Sequence, residues 1–257
     1  LSANRAARPL AGVFVAVLVF AGGFFGYRYF LSPNSKQIES IAVMPFVNAG
    51  GNADVEYLSD GMTETLIRSL SQLANLQVKP RSSVFRYKGK ETDAKTIGRE
   101  LNVQAILNGR VIQRGNQLTL NLELIDVQKD VVLWSEQYER NVSEMLATQR
   151  EIATEITNKL QLKLSGEDQR ALIKQYTTNP EAYQLYLKGN YYRSKYTEEG
   201  YKKAISNYQQ AIEVDPNYAL AYAGIANAYL SVVEVYVPMN EVMPKAKTAV
   251  LKALEID

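Results

Sequence analysis

Two kinds of hydrophobic pattern divide the chain. Residues 10–31 form an apolar run that a single charged residue, Arg28, interrupts. A run of this length is enough for a helix to cross the roughly 30 Å hydrocarbon core of a bilayer. Farther along, apolar residues alternate or recur at helical spacing instead, which is typical of a folded domain. We therefore predict a transmembrane helix at 10–31, preceded by a cytoplasmic flank at 1–9 and followed by a polar linker at 32–40.

The charges around this run predict its orientation. Arg5 and Arg8 precede it with no acidic residue nearby. Since basic residues favour the cytoplasmic side, the region that follows the span is expected outside the cytoplasm. An alternative is a cleaved signal peptide, for which Val19-Phe20-Ala21 is a suitable cleavage site. The first residue is Leu1 and the flank resembles the end of a longer segment, so we expect a fragment that lacks an N-terminal domain.

Residues 41–164 alternate between strand and helix patterns. The clearest strand is the one in which Leu118, Leu120, Leu122 and Leu124 alternate with polar residues. Gly115-Asn116 before it is suited to a tight hairpin turn. The order β-α-β-α-β-β-β-α predicts an α/β domain with a mixed, largely antiparallel sheet. The individual expectations are strands at 41–47, 76–80, 103–111, 118–124 and 132–138, and helices at 57–73, from 92 or 93 onwards, and at 143–164 with Ser143 as its cap.

The remaining residues form helical patterns. Residues 165–180 are expected to be a connecting helix and turn, and 181–257 a set of helical repeats that is truncated at the C-terminus. The repeated residues resemble the small, aromatic and proline positions of the tetratricopeptide (TPR) repeat, which predicts an all-α TPR solenoid segment. In the first copy these residues are Gly189, Tyr192, Ala204, Tyr208, Ala211 and Pro216, and in the second Tyr222, Ile225, Ala226, Tyr229, Ala246, Val250 and Ala253.

The α/β region also carries a resemblance. IAVMPFVNAGGNADVEYLSDGMTETLIRSL, VQAILNGRV and LWSEQYER resemble the TolB amino-terminal-like extracytoplasmic domain of bacterial envelope and signalling proteins. In that family the domain follows a single membrane span, precedes TPR repeats and is not known as an enzyme. The resemblance therefore implies a single-pass protein of the bacterial inner membrane with its C-terminal region in the periplasm. It also implies a missing N-terminal portion that is a Ser/Thr kinase, a winged-helix regulator or a nucleotide cyclase.

The amino-acid composition limits the catalytic, metal-binding and nucleic-acid-binding functions that the chain could have. The chain of 257 residues has no His and no Cys, which excludes His- or Cys-dependent nucleophiles, zinc sites and thiol redox chemistry. The 29 basic and 27 acidic residues give a net charge of +2, which argues against nucleic-acid binding. No cofactor or metal is expected. An enzyme would have to use carboxylates such as Asp60 and Glu64, but acidic residues near a helix N-terminus are more simply explained by the helix dipole.

The TPR resemblance implies a concave groove for a protein or peptide partner. The residues expected to line it are Tyr183, Tyr186, Asn190, Arg193, Asn227 and Leu230. Asn190 and Asn227 hold the same repeat position, where an amide can both donate to and accept from a peptide backbone. The alternative is that neighbouring repeats or the sheet domain fill the groove.

The sequence thus predicts a membrane-anchored, extracytoplasmic module for sensing and protein–protein interaction, part of a bacterial signalling protein and not itself an enzyme. The alternative is an envelope-assembly scaffold that binds partners through its repeats and has no signalling output.

Overall fold

The computed structural model describes residues 37–233 and 238–257. The predicted transmembrane helix at 10–31 lies outside them, as do the flank at 1–9 and most of the linker at 32–40. Within the described part of the chain, no helix has both the length and the hydrophobicity that a membrane span requires.

The strands of a mixed sheet all lie within residues 40–141. Its strands are β1 (Ser40–Val43), β2 (Val47–Asn48), β3 (Gln77–Val78), β4 (Ala105–Arg114), β5 (Gln117–Asp126) and β6 (Val131–Asn141). The strand order is β3-β1-β4-β5-β6, with β2 paired to β4. Short parallel ladders join β1 to β3 and β4, and β2 to β4. Long antiparallel ladders join β4 to β5 and β5 to β6, which confirms the predicted mixed α/β sheet.

The alternating leucines of β5 explain which face of the sheet is buried. Leu118, Leu120, Leu122 and Leu124 are each at most 2% exposed. The hairpin before β5 turns at Gly115, whose φ of 59° is a conformation that glycine adopts without strain. The turn between β4 and β5 therefore lies where the sequence predicted it.

Helices follow or cover the sheet. They are α1 (Glu56–Leu70), α2 (Arg81–Val84), α3 (Ala94–Leu101), α4 (Met145–Lys159), α5 (Gly166–Ile173), α6 (Pro180–Arg193), α7 (Glu198–Val214), α8 (Ala219–Val233) and α9 (Met239–Ile256). The prediction that Ser143 caps the long helix was wrong. The helix begins after Glu144 without a side-chain cap. Asn141 caps the short 3-10 turn Val142–Glu144 that leads into it, and the Asn141 backbone N–H donates to the Glu144 side chain at 2.8 Å.

The C-terminal helices pack in sequence, α6 on α7, α7 on α8 and α8 on α9. The ring of Tyr208 on α7 fits between two glycines, one on each neighbouring helix. A Cβ atom on Gly189 would lie 2.4 Å from this ring, and one on Gly224 would lie 2.7 Å from it. The small and aromatic positions that the sequence singled out therefore meet in space, as close helix packing requires.

A second close contact joins α6 to α1 of the sheet domain. Gly61, in the middle of α1, faces the fully buried Leu187 of α6. A Cβ atom at position 61 would lie 2.9 Å from the Leu187 Cδ2 atom, so the two helices approach closely because residue 61 has no side chain. The helical region thus begins with a helix that packs directly on the α/β domain.

Candidate partner-binding cleft

The contact between α1 and α6 leaves an open cleft beside it. Its volume is about 320 Å³, near the lower end of the range of ligand pockets. We call it the arginine cleft. One wall comes from α1 and α2, and the other from α6 and α8. Its lining residues are Glu64, Ile67, Arg68, Arg81, Tyr186, Asn190, Arg193, Leu220, Ala223, Gly224 and Asn227.

Arg68 of α1 is held between tyrosines. Its Nη1 atom donates a hydrogen bond to the Tyr186 hydroxyl at 2.7 Å. Its guanidinium carbon lies 5.6 Å from the centre of the Tyr186 ring and 6.0 Å from that of Tyr176. These contacts restrict the guanidinium without neutralising its charge.

The other two arginines of the cleft differ from each other. Arg81 forms an ion pair with Glu64 and lies 3.7 Å from the centre of the Phe85 ring. Arg193, at the end of α6, is half-buried. Within the described residues, neither Arg193 nor Arg68 has a carboxylate within 4.0 Å. With three arginines and one glutamate, the lining carries a formal charge of +2.

The two asparagines of the repeat pattern lie on the same wall. Asn190 is 6% exposed, and its Oδ1 atom accepts a hydrogen bond from the Tyr208 hydroxyl at 2.6 Å. The acceptor is thereby used, while the amide Nδ2 keeps its donors. Asn227 is exposed, and its side-chain amide has no hydrogen-bond partner among the described residues.

Four of the six residues predicted to bind a partner line this cleft, namely Tyr186, Asn190, Arg193 and Asn227. Leu230 does not line it and is 46% exposed. An open groove on this face of α6 was expected to leave Tyr183, Tyr186 and Asn190 exposed. They are instead buried, with exposed fractions of 2%, 6% and 6%, and α1 covers the two tyrosines. Whether any of the six binds a partner stays a prediction.

Tyr183 instead serves the interface between the sheet domain and the helices. Its hydroxyl donates to Gln149 of α4 and lies 3.2 Å from the Thr65 hydroxyl of α1. Burial raises the pKa of Tyr183 to about 12, so the phenol is neutral at physiological pH. The residue therefore joins three helices, α1, α4 and α6.

Sequence reasoning missed the wall of the cleft that the α/β domain provides. Glu64 and Arg68 are four residues apart on α1 and so lie on one face of the helix. That spacing was a usable signal for a charged face. It did not reveal that the face lies against α6, because the pairing of α1 with α6 is long-range.

The carboxylates considered for catalysis have separate partners. Asp60 is 4% exposed and forms an ion pair with Lys88 at 2.5 Å, while Glu64 pairs with Arg81. Burial raises the pKa of Asp60, against the lowering effect of Lys88. Lys88 also contacts Glu56 at 2.5 Å. In the part of the chain that the structure describes, no group of three or more acidic side chains could hold a metal ion.

Comparison with known proteins identifies related sequences. Residues 36–156 match the model of the second domain of HilA/YgeH-like transcriptional regulators, and residues 194–232 match a TPR repeat. A relative named putative adenylate cyclase 3, from Rhizobium meliloti, is 33% identical over 187 residues. That match covers 73% of this chain and 32% of the relative. The transcriptional regulator HilA of Salmonella typhimurium is 22% identical over 242 residues, which is 90% of this chain and 42% of HilA.

Solved structures provide a more distant likeness. TolB from Acinetobacter baumannii matches with a TM-score of 0.35 and 16% identity, over 49% of this chain and 29% of TolB. The chain spans 32% and 42% of the length of the two curated relatives described above. It is thus similar in sequence to a TPR repeat and to the second domain of HilA/YgeH-like regulators, each over part of its length.

Proposed function

We propose that this chain is the extracytoplasmic, partner-binding region of a single-pass bacterial signalling protein, and that a peptide segment of the partner binds in the arginine cleft. The observation that carries the binding part is the cleft itself. It brings together Tyr186, Asn190, Arg193 and Asn227, four residues first identified from the repeat pattern. The TPR match supports a role in protein–protein interaction.

Two further observations support the signalling part. The apolar run at 10–31 is long enough to anchor the chain in a membrane. The relatives are named as an adenylate cyclase and a transcriptional regulator, and each is much longer than the segment it shares with this chain. In this proposal the shared segment receives the signal, and the rest of the protein produces the output. The region itself has no catalytic role.

A topology assay tests the membrane part. A reporter that is active only in the periplasm is fused after Asp257, with and without deletion of residues 10–31. We expect reporter activity that depends on residues 10–31. We also expect the chain that contains them to stay in the membrane during carbonate extraction. Reporter activity in the cytoplasm alone would overturn the proposed orientation.

A second assay separates signalling from scaffolding. Asn227→Ala removes an exposed amide of the cleft, and Glu136→Ala removes an exposed side chain of β6 outside it. In cells that carry the full-length protein, we expect the first change to alter the downstream output and the second to leave it unchanged. Loss of partner binding by Asn227→Ala without any change in output would instead favour the scaffold alternative.

A further inference from the structure

The charge of the arginine cleft limits the chemistry of its ligand. We infer that the cleft recognises a carboxylate of the bound peptide, with Arg68 and Arg193 as the residues that bind it. This inference rests on the proposed peptide-binding function and specifies the group that is recognised.

The three arginines of the cleft differ in whether a carboxylate lies close to them. Arg81 already pairs with Glu64, whereas Arg68 and Arg193 have no carboxylate within 4.0 Å among the described residues. Glu64 acts on Arg193 only from beyond 4.0 Å. A charged group that is partly removed from water without a counter-ion in direct contact is costly, and an anionic ligand offsets that cost. Two such cations on facing walls of one cleft therefore favour an anion between α1 and α6.

Arg68 has hydrogen-bond donors that a ligand can use. A guanidinium has five N–H donors. Within the described residues, the side chain of Arg68 makes one hydrogen bond, to the Tyr186 hydroxyl. The donors that remain form a planar fork, which matches the two oxygens of a carboxylate. The hydrogen bond to Tyr186 and the cation–π contacts with Tyr186 and Tyr176 restrict the position of Arg68 before the ligand arrives.

The amides and apolar side chains of the cleft favour a peptide over a free anion as its ligand. The buried Asn190 keeps donor capacity on its amide, and Asn227 offers both a donor and an acceptor at the rim. These groups match the alternating donors and acceptors of a peptide backbone. Apolar lining from Ile67 and Leu220 lies beside them and suits an aliphatic side chain. A cavity of about 320 Å³ admits a short segment of peptide but not a folded domain.

The test uses the full chain, immobilised, and an equimolar library of short random peptides in three matched forms. One form has a free C-terminus, the second is C-terminally amidated, and the third is amidated with every Asp and Glu replaced by Asn and Gln. We expect the form without any carboxylate to be captured about tenfold less than whichever of the other two forms is captured most, since hydrogen bonds to a charged group are lost. The free-acid and amidated forms show whether the recognised carboxylate is terminal or on a side chain.

Variants attribute the effect to the cleft. Arg68→Gln and Arg193→Gln should each remove most of the preference for carboxylate, whereas Arg114→Gln, at an exposed site of β4 outside the cleft, should keep it. A thermal melt of each variant confirms that it is folded. Should a variant fail to fold, added salt provides a second test, because the preference of the unaltered chain should weaken as ionic strength rises.

The outcomes separate this inference from the function on which it rests. Equal capture of all three forms through the cleft would overturn carboxylate recognition and leave peptide binding intact. Capture of none of them would overturn both. If inorganic phosphate displaces the library as well as a carboxylate peptide does, and binds alone with equal strength, the cleft is a site for small anions and the inference is wrong.

Discussion

The contact between α1 and α6 is tested by adding a single methyl group. Gly61→Ala has two opposing effects on the free energy of unfolding. Alanine is favoured over glycine inside a helix by about 1 kcal/mol, which stabilises α1. The new Cβ atom would also lie 2.9 Å from Leu187 Cδ2 and 3.1 Å from Leu187 Cβ. Crowding of a well-packed contact costs about 1–3 kcal/mol. The expected result is a net loss of between about 0 and 2 kcal/mol.

A double-mutant cycle separates the two effects. In a Leu187→Ala background the two Cδ methyl groups that crowd position 61 are gone and only the Cβ contact at 3.1 Å remains, so Gly61→Ala should be less destabilising or should stabilise the protein by up to about 1 kcal/mol. Gly166→Ala is a matched control, because a Cβ atom there, at the start of α5, meets nothing within 4 Å. Its effect should be the same in both backgrounds. The assay is chemical denaturation of each variant, with a midpoint and slope for every curve.

The reasoning would be refuted if Gly61→Ala changed stability equally in both backgrounds. Equal effects would mean that residues 61 and 187 do not interact, since non-contacting sites are additive. A coupling of about 1–3 kcal/mol would show that the sheet domain and α6 share one packed interface.

Three further predictions concern buried groups. The pKa of Tyr183 rises from 10.0 to about 12 on folding. The stability that its neutral phenol contributes is therefore fully present below pH 10 and is lost as pH rises towards 12. Tyr183→Phe should reduce this loss of stability at alkaline pH by about 3 kcal/mol at most, measured by denaturation across that range. Lys88→Met leaves Asp60 buried without its cation and should cost about 3 kcal/mol at neutral pH. Since burial raises the pKa of Asp60, the variant should recover stability as pH falls, and adding Asp60→Asn should restore much of the loss at neutral pH. Gly189→Ala should lower the melting temperature despite the better helix propensity of alanine, because its Cβ atom would lie 2.4 Å from the Tyr208 ring; an unchanged or higher melting temperature would contradict this packing.

The local patterns of this sequence were sufficient for much of the fold. Alternation of apolar and polar residues predicted β5 because one face of that strand is buried and the other is not. The small and aromatic repeat positions included Gly189 and Tyr208, which contact each other because they lie on neighbouring helices. Each of these depends on residues that are near one another in the sequence.

The cleft could not be predicted in the same way. Assigning Tyr183 to an open groove assumed that the first repeat helix has a free face. In the structure α1 covers that face, and Tyr183 meets Thr65, which is 118 residues away in sequence. Periodicity shows which residues share a helix face but not which helix packs against it. The α1 wall of the cleft, with Arg68, was therefore missed.

Site-specific cross-linking in living cells tests the central claim most directly. A photoreactive residue replaces the exposed Asn227 at the rim of the cleft in the full-length protein, and a matched one replaces Glu136 on β6. The account predicts a discrete partner adduct from position 227, absent from position 136 and abolished by Arg68→Gln in a folded protein. An adduct that forms equally from both positions, or that is unaffected by Arg68→Gln, would contradict the claim that a partner binds in the arginine cleft.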